Sequence, residues 1–319
     1  GPYNNSWNFM DAYNKAQNGD IIEFEDGYAF QWPTNQEIVI DKELHFVGQA
    51  VSNPNGNGQI FKNTIEVAFR FVAGAKVTFE NLCFKVTGNY STLLLWSGSE
   101  VTCKQVCFEI STQNNQNFFL YADTHSKLIL TDIEMKVPEK HDASIGIVAS
   151  ELSISHSRVL SRIDLSDGAR LTLETVDLEK YDINTISATN SEVTLKNSTV
   201  KGGNLEMDYP PVWLDNVVWK SENCKIELPG GTAVCLNNNV QFNSDSDCIT
   251  SLNSYGSMLR AHQATFTEFL CIYDQSFAAL TGETTFLAEN AQRISFGAFS
   301  DSVVMADQMI FHKIADPNI

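Results

Sequence analysis

Apolar and polar residues alternate along most of this chain, and the alternation breaks at a regular place. In EVTLKNSTV (Glu192 to Val200), Val193 and Leu195 fall two apart, then Ser198 and Val200, with Lys196 and Asn197 side by side between the pairs. In a flat strand residues i and i+2 share a face. Leu195 and Ser198 are three apart, so they share a face only if the chain bends between them. The phrase recurs as Φ-x-Φ-x-x-Φ-x-Φ, where Φ is apolar or small. It fits VTFENLCF (from Val77), VTCKQVCF (Val101), LILTDIEM (Leu128), LSISHSRV (Leu152), LTLETVDL (Leu171), VTLKNSTV (Val193) and VWLDNVVW (Val212). VCLNNNVQF (Val234 to Phe242) carries one extra residue, and looser copies begin at Leu259, Ala279 and Val304.

Successive copies start 24, 27, 24, 19, 22, 19, 22, 25, 20 and 25 residues apart, a mean near 23. A period in the twenties with strand-like spacing predicts a solenoid of β-coils whose loops vary in length. Leucine-rich repeats share the period, but their Leu-x-x-Leu-x-Leu signature and helical return are absent. The second corner residue is polar in every copy: Asn81, Gln105, Asp132, His156, Thr175, Asn197, Asn216, Asn238, Gln263, Glu283 and Gln308. Asn tolerates left-handed backbone angles, and stacked amides can bond to one another in a ladder. The eighth position, from Phe84 and Phe108 through Trp219 to Phe311, reads as an internal stack of large side chains. A third strand is expected about five to ten residues before each phrase, for example at Leu93 to Leu95, Phe118 to Leu120 and Ile145 to Ile147.

Three short strands per coil resemble the right-handed parallel β-helix of the pectin-lyase-like superfamily. The resemblance covers nearly the whole chain and implies an all-β, single-stranded solenoid of about 11–12 coils of ~23 residues with an N-terminal capping helix. Trp7, Phe9, Met10, Tyr13 and Ala16 suggest that helix. Residues 3–30 are therefore read as cap helix and first strand, and residues 31–319 as one continuous β-helix. Gly1-Pro2 looks like a remnant of tag removal, which hides any signal peptide. No cap is visible at Pro317-Asn318-Ile319, so the native chain is expected to continue into other domains.

Composition narrows the function. A formal charge of −18 repels phosphate backbones and anionic lipids, which excludes nucleic-acid partners. It also opposes a polyanionic glycan unless calcium bridges the two. No apolar run is long enough to span a bilayer, so no membrane insertion is expected. The seven cysteines are an odd number, lie in part in strand-like runs and form no CxxC pair. They read as reduced, buried small hydrophobes, which points to the cytoplasm. The sequons at Asn4, Asn89 and Asn197 occur readily by chance, and Asn197 falls in the corner column, where a turn role fits better than a glycan.

The superfamily's enzymes act on polysaccharides in a groove along one sheet. Polygalacturonase-like hydrolases carry Asn-Thr-Asp, paired aspartates, Gly-His-Gly and Arg-Ile-Lys. Here NSDSDCI, with Asp245 and Asp247, is the sole echo, and it reads more simply as a polar loop. The seventh phrase position is expected to face outward and gives Cys83, Cys107, Glu134, Arg158, Asp177 and Thr199 in turn. Glu134, Arg158 and Asp177 should then form a charge ladder, or in a functional reading a carboxylate–guanidinium site. Trp213 lies in an outward threonine column and is a candidate sugar-stacking platform. The six histidines show no metal spacing. Two readings follow. The first is a non-catalytic interaction module offering a long rigid surface to a protein or glycan, with no cofactor. The second is a polysaccharide-active lyase or hydrolase with a divergent site, which would need calcium as a lyase.

Overall fold

The computed structural model describes residues 4–33, 36–52, 59–86, 91–110, 118–138, 143–179, 186–201, 205–208, 212–215, 218–221, 226–227, 233–237, 241–244, 250–252, 258–266, 270–272, 276–288, 296–298 and 301–313. The chain divides into two compact units, residues 1–161 and 162–319.

In the first unit a helix, α1 (Asn4–Lys15), precedes the strands. These are β1 (Asp20–Glu23), β2 (Ala29–Gln31), β3 (Glu37–Ile40), β4 (Leu44–Val47), β5 (Ala50–Ser52) and β6 (Gln59–Phe61). Next come β7 (Thr64–Glu66), β8 (Ala68–Phe71), β9 (Lys76–Glu80), β10 (Cys83–Val86), β11 (Leu93–Leu95) and β12 (Glu100–Lys104). The unit ends with β13 (Cys107–Ile110), β14 (Leu120–Ala122), β15 (Lys127–Thr131), β16 (Glu134–Lys136), β17 (Ser144–Val148) and β18 (Glu151–Val159). One parallel sheet stacks β1, β4, β9, β12, β15 and β18; a second stacks β2, β7, β10, β13 and β16; a third stacks β3, β8, β11, β14 and β17. The chain visits the three sheets in rotation, which makes the unit a parallel β-helix. The antiparallel hairpin β5–β6 interrupts that rotation once.

The cap forms as its apolar spacing predicts. Phe9 is 2% exposed and stacks on Phe30 at 4.3 Å and on Phe46 at 5.7 Å, covering the first coil's core. The last carbonyls of a helix lack partners within it. Lys42 supplies them, its Nζ donating to the Tyr13 and Ala16 carbonyls at 2.8 and 2.9 Å.

The second unit repeats the architecture. Arg162–Ser166, Ile186–Thr189, Leu205–Asp208, Ile226–Glu227, Thr250–Leu252, Leu270–Ile272 and Phe296–Ala298 pair in parallel, each with the next. Arg170–Glu179 pairs with Glu192–Lys196 before the corner and with Thr199–Lys201 after it. The quoted phrase is therefore two strands joined at a bend.

The corner is a left-handed backbone position. Asn81, Gln105, Asp132, His156, Thr175, Asn197 and Gln263 have φ of 57°, 51°, 55°, 48°, 57°, 48° and 53°. Successive corners join through the backbone: the N–H of Asn81 donates to the Lys104 carbonyl at 3.2 Å, that of Gln105 to Thr131 at 2.9 Å, and that of Asp132 to Ser155 at 3.1 Å. Serine at the sixth phrase position is buried with its hydroxyl satisfied. Ser157 Oγ donates to the Ser155 carbonyl at 2.6 Å and accepts the Ile133 N–H at 3.0 Å.

Two expected corners differ. Ala278, not Ala279, pairs with Val304, and the register then shifts so that Glu283 meets Gln308. The extra residue is absorbed at Gly282, which takes φ +66° at no Cβ cost, and neither Glu283 nor Gln308 is left-handed. Asn216 and Asn238 lie outside the described residues. The strand expected at Phe118 to Leu120 is instead Leu120–Ala122, because Leu120 pairs with Leu93 and Ile145. A second turn, not anticipated from the repeat, precedes many phrases. Ala73-Gly74, Ser97-Gly98 and Asp167-Gly168 are consecutive left-handed pairs closed by N–H···O bonds of 3.0, 3.2 and 3.1 Å, the type I′ pattern.

Candidate functional site

The sheet sequence gives each outer face of the first unit its own chemistry. On the first sheet, Thr78 pairs with His45 and Thr102, and Ile129 with Thr102 and Ser153, giving the expected β-branched column. Beside it Lys76, Glu100, Lys127 and Glu151 alternate in sign through the register. Lys127 and Glu151 approach to 4.0 Å, and in the second unit Arg170 and Glu192 to 3.5 Å. Exposed pairs of this kind are worth about 0–1 kcal/mol each; their arrangement offsets like-charge repulsion between coils.

The second sheet departs from expectation. Cys83 and Cys107 occupy the seventh phrase position but are 4% and 0% exposed. Their side chains are short, and the longer Lys85 and Glu109 follow two residues on in the same strands, so the thiols lie sunk between neighbours. Glu134 continues this column on β16 and ion-pairs with Lys136 at 3.7 Å. Arg158 is exposed one residue before the end of β18, with its N–H bonded to the Ile133 carbonyl at 3.4 Å, so it sits on the strand next to Glu134. Asp177 is exposed on the second unit and pairs with Thr199. Asp245 and Asp247 lie outside the described residues. The backbone of Trp213 pairs with Thr194 and Cys235, placing it in the predicted column. Among the described residues no three His, Cys, Asp or Glu side chains cluster to hold a metal.

The third sheet carries an aromatic face that the repeat pattern did not single out. Tyr121 projects outward on β14 between Leu94 and Gly146. Phe118, just before the strand, lays its ring on the Tyr121 ring, with centroids 5.7 Å apart and planes 25° apart. It fits there because position 146 has no side chain: a Cβ on Gly146 would lie 2.6 Å from two Phe118 ring carbons. Trp96, 39% exposed, follows β11 and aligns with Asp123, which follows the Leu95–Ala122 pair. The Tyr121 hydroxyl lies 3.5 Å from Asp123 Oδ2, and Asp123 Oδ1 accepts the Thr124 N–H at 2.6 Å. Toward the cap, Arg70 and Glu37 pair at 2.5 Å on β8 and β3. Three rings, an anchored carboxylate and an ion pair thus share one outer face. The signal for this site is the doublet Phe118-Phe119, of which one ring must leave the core, followed by glycine on the next coil.

No protein-family model matches the chain, and no curated protein matches it. Solved structures do. An alginate lyase in complex with G6 is 8% identical, covering 97% of this chain and 84% of its own, with a TM-score of 0.46. A DFA-IIIase from Arthrobacter chlorophenolicus, a C387A mutant in complex with DFA-III, is 14% identical over 98% and 82%, with a TM-score of 0.45. The A-module of a mannuronan C-5 epimerase from Azotobacter vinelandii is 10% identical over 94% of each chain, with a TM-score of 0.39. Likeness at this level carries no argument about activity. The fold rests on the parallel register of the strands.

Proposed function

We propose that the chain is a non-catalytic β-helix binding module that holds an uncharged glycan on the outer face of the first unit's third sheet. The observation that supports this is the set of rings Trp96, Phe118 and Tyr121 beside Asp123. The C–H face of a pyranose packs against the electron-rich face of an aromatic ring, and a carboxylate accepts hydroxyl hydrogen bonds. Parallel sheet beneath the rings keeps them in place before binding, which lowers the entropy cost. The charge of −18 favours a neutral chain over a uronate polymer.

The test is affinity electrophoresis through neutral polysaccharides and through pectate and alginate, with and without calcium, alongside assays for newly released reducing or unsaturated ends. Retardation by a neutral polymer without release of ends is expected. Each ring contact contributes about 0.5–1.5 kcal/mol, so Trp96→Ala and Tyr121→Ala should each weaken retardation by up to roughly tenfold. Retardation confined to polyanions, or unchanged in both variants, would overturn the proposal. Release of ends would instead favour a divergent polysaccharide-active enzyme.

A further inference from the structure

Cys83 and Cys107 are direct register partners on the adjacent parallel strands β10 and β13. Both thiols are free, buried and on the same side of their sheet. Neighbouring strands run about 4.8 Å apart, inside the roughly 4.4–6.8 Å window of Cα separations that a disulfide spans. Parallel side-chain vectors keep the two Cβ atoms near that same spacing, beyond the roughly 3.5–4.5 Å of a relaxed bridge. A bond here requires the strands to draw together slightly, and such a strained bridge is readily reduced.

The surroundings distinguish the two sulfurs. Lys85 and Glu109 lie two residues on, and Glu134 and Lys136 follow in register on β16. Hydrogen bonding with Cys107 holds Cys83 below the ordinary thiol range, against burial and the Glu109 charge and with help from Lys136 and Lys85. The same bond, with burial, pushes Cys107 far above it. Cys103 faces the core, where burial raises its thiol. Two sulfurs of unlike character therefore face one another across the strands, and Cys83 reaches the thiolate more readily.

We propose that Cys83 and Cys107 form a reversible redox pair, oxidised by hydrogen peroxide to a cross-strand disulfide and returned to the dithiol by low-molecular-weight thiols. The Cys83 thiolate attacks one peroxide oxygen, the O–O bond breaks, and hydroxide leaves, giving the sulfenic acid on Cys83. The Cys107 sulfur then displaces the sulfenic oxygen, which departs as water with the Cys107 proton. Both sulfurs are oxidised by one electron each, and the two peroxide oxygens end as two waters. Reduction by two small thiols restores both S–H groups and yields one small disulfide. This site lies on a different sheet from the proposed glycan face and stands independently of it.

The test treats the full chain with hydrogen peroxide, removes the peroxide, unfolds the chain in iodoacetamide to block remaining thiols and maps tryptic peptides without reduction. Cleavage at Lys76, Lys85, Lys104 and Lys127 puts Cys83, Cys103 and Cys107 on separate peptides. A Cys83–Cys107 linked peptide is expected, abolished by dithiothreitol, while Cys103 is recovered alkylated and unlinked. In Cys107→Ser the oxidation should stop at a sulfenic acid on Cys83 that dimedone traps; in Cys83→Ser, Cys107 should give no adduct. If the wild-type chain leaves Cys83 and Cys107 both alkylatable after peroxide has oxidised other cysteines, the proposal is overturned. Equal dimedone labelling of Cys107 in Cys83→Ser would overturn it as well.

Discussion

Thr175→Asn should stabilise the protein. Thr175 sits at the corner of Arg170–Glu179 with φ 57°, a conformation in which a β-branched residue is an outlier and Asn is comfortable. Left-handed geometry costs an ordinary residue about 1–2 kcal/mol. The Thr175 side chain is exposed, so replacing it forfeits no core packing, and Asn should recover about 1 kcal/mol of that cost. Urea slopes of about 1–3 kcal/mol/M convert this into a midpoint rise of about 0.3–1 M. Thr175→Gly relieves the same strain but adds unfolded-chain entropy worth about 0.5–1 kcal/mol, so its gain should be smaller. The control is Thr172→Asn, three residues earlier at an extended position paired with Thr194, where loss of β-propensity costs up to about 1 kcal/mol. If both Asn substitutions lower the midpoint alike, the corner is not left-handed and the reasoning fails.

Gly146→Ala should lift the Phe118 ring from its seat, because the new Cβ would lie 2.6 Å from ring carbons that ordinarily keep about 3.5–4.0 Å; glycan retardation should fall while circular dichroism stays that of the parent. Phe84→Ala empties a fully buried site between Phe79 at 5.1 Å and Phe108 at 5.5 Å; a loss of about 3–5 kcal/mol should appear as a lower urea midpoint. Tyr13, which donates to Asp41 at 3.0 Å, has its hydroxyl pushed up to about 12, first by burial and then by that bond. A phenol raised above its unfolded value of 10.0 contributes stability below pH 10 that is lost as pH rises toward 12. Urea midpoints between those pH values should fall less steeply in Tyr13→Phe than in the parent.

The phrase EVTLKNSTV carried the architecture because burial in a solenoid imposes the same constraint on every coil. The unequal spacing of Leu195 and Ser198 is the corner itself, and the left-handed φ at Asn197 is its physical cause. Gly282 shows where pattern reading slipped: an inserted residue hides in a bend that glycine tolerates, so the copy looked one residue late. The type I′ turns at Ala73-Gly74 and Ser97-Gly98 are marked in the sequence by a glycine three residues before a phrase, a signal that the apolar pattern does not carry. Alternation places Cys83 and Cys107 on the outer side of their sheet, yet exposure depends on the reach of neighbours such as Lys85, which alternation does not encode. The ring cluster was least legible. Trp96 lies one coil before Phe118 and Tyr121, 22 residues ahead of Phe118 in sequence, and only the register of β11, β14 and β17 brings them to one face.

Hydroxyl-radical footprinting of the protein with and without a retained neutral glycan tests most directly whether ligand binds on this face. Protection concentrated at Trp96, Phe118 and Tyr121, with Met258, Met305 and other exposed side chains of the second unit oxidised as before, is the predicted result. Unchanged labelling of the three rings, with protection on the second unit or on the threonine column at Thr78 and Thr102, would contradict it.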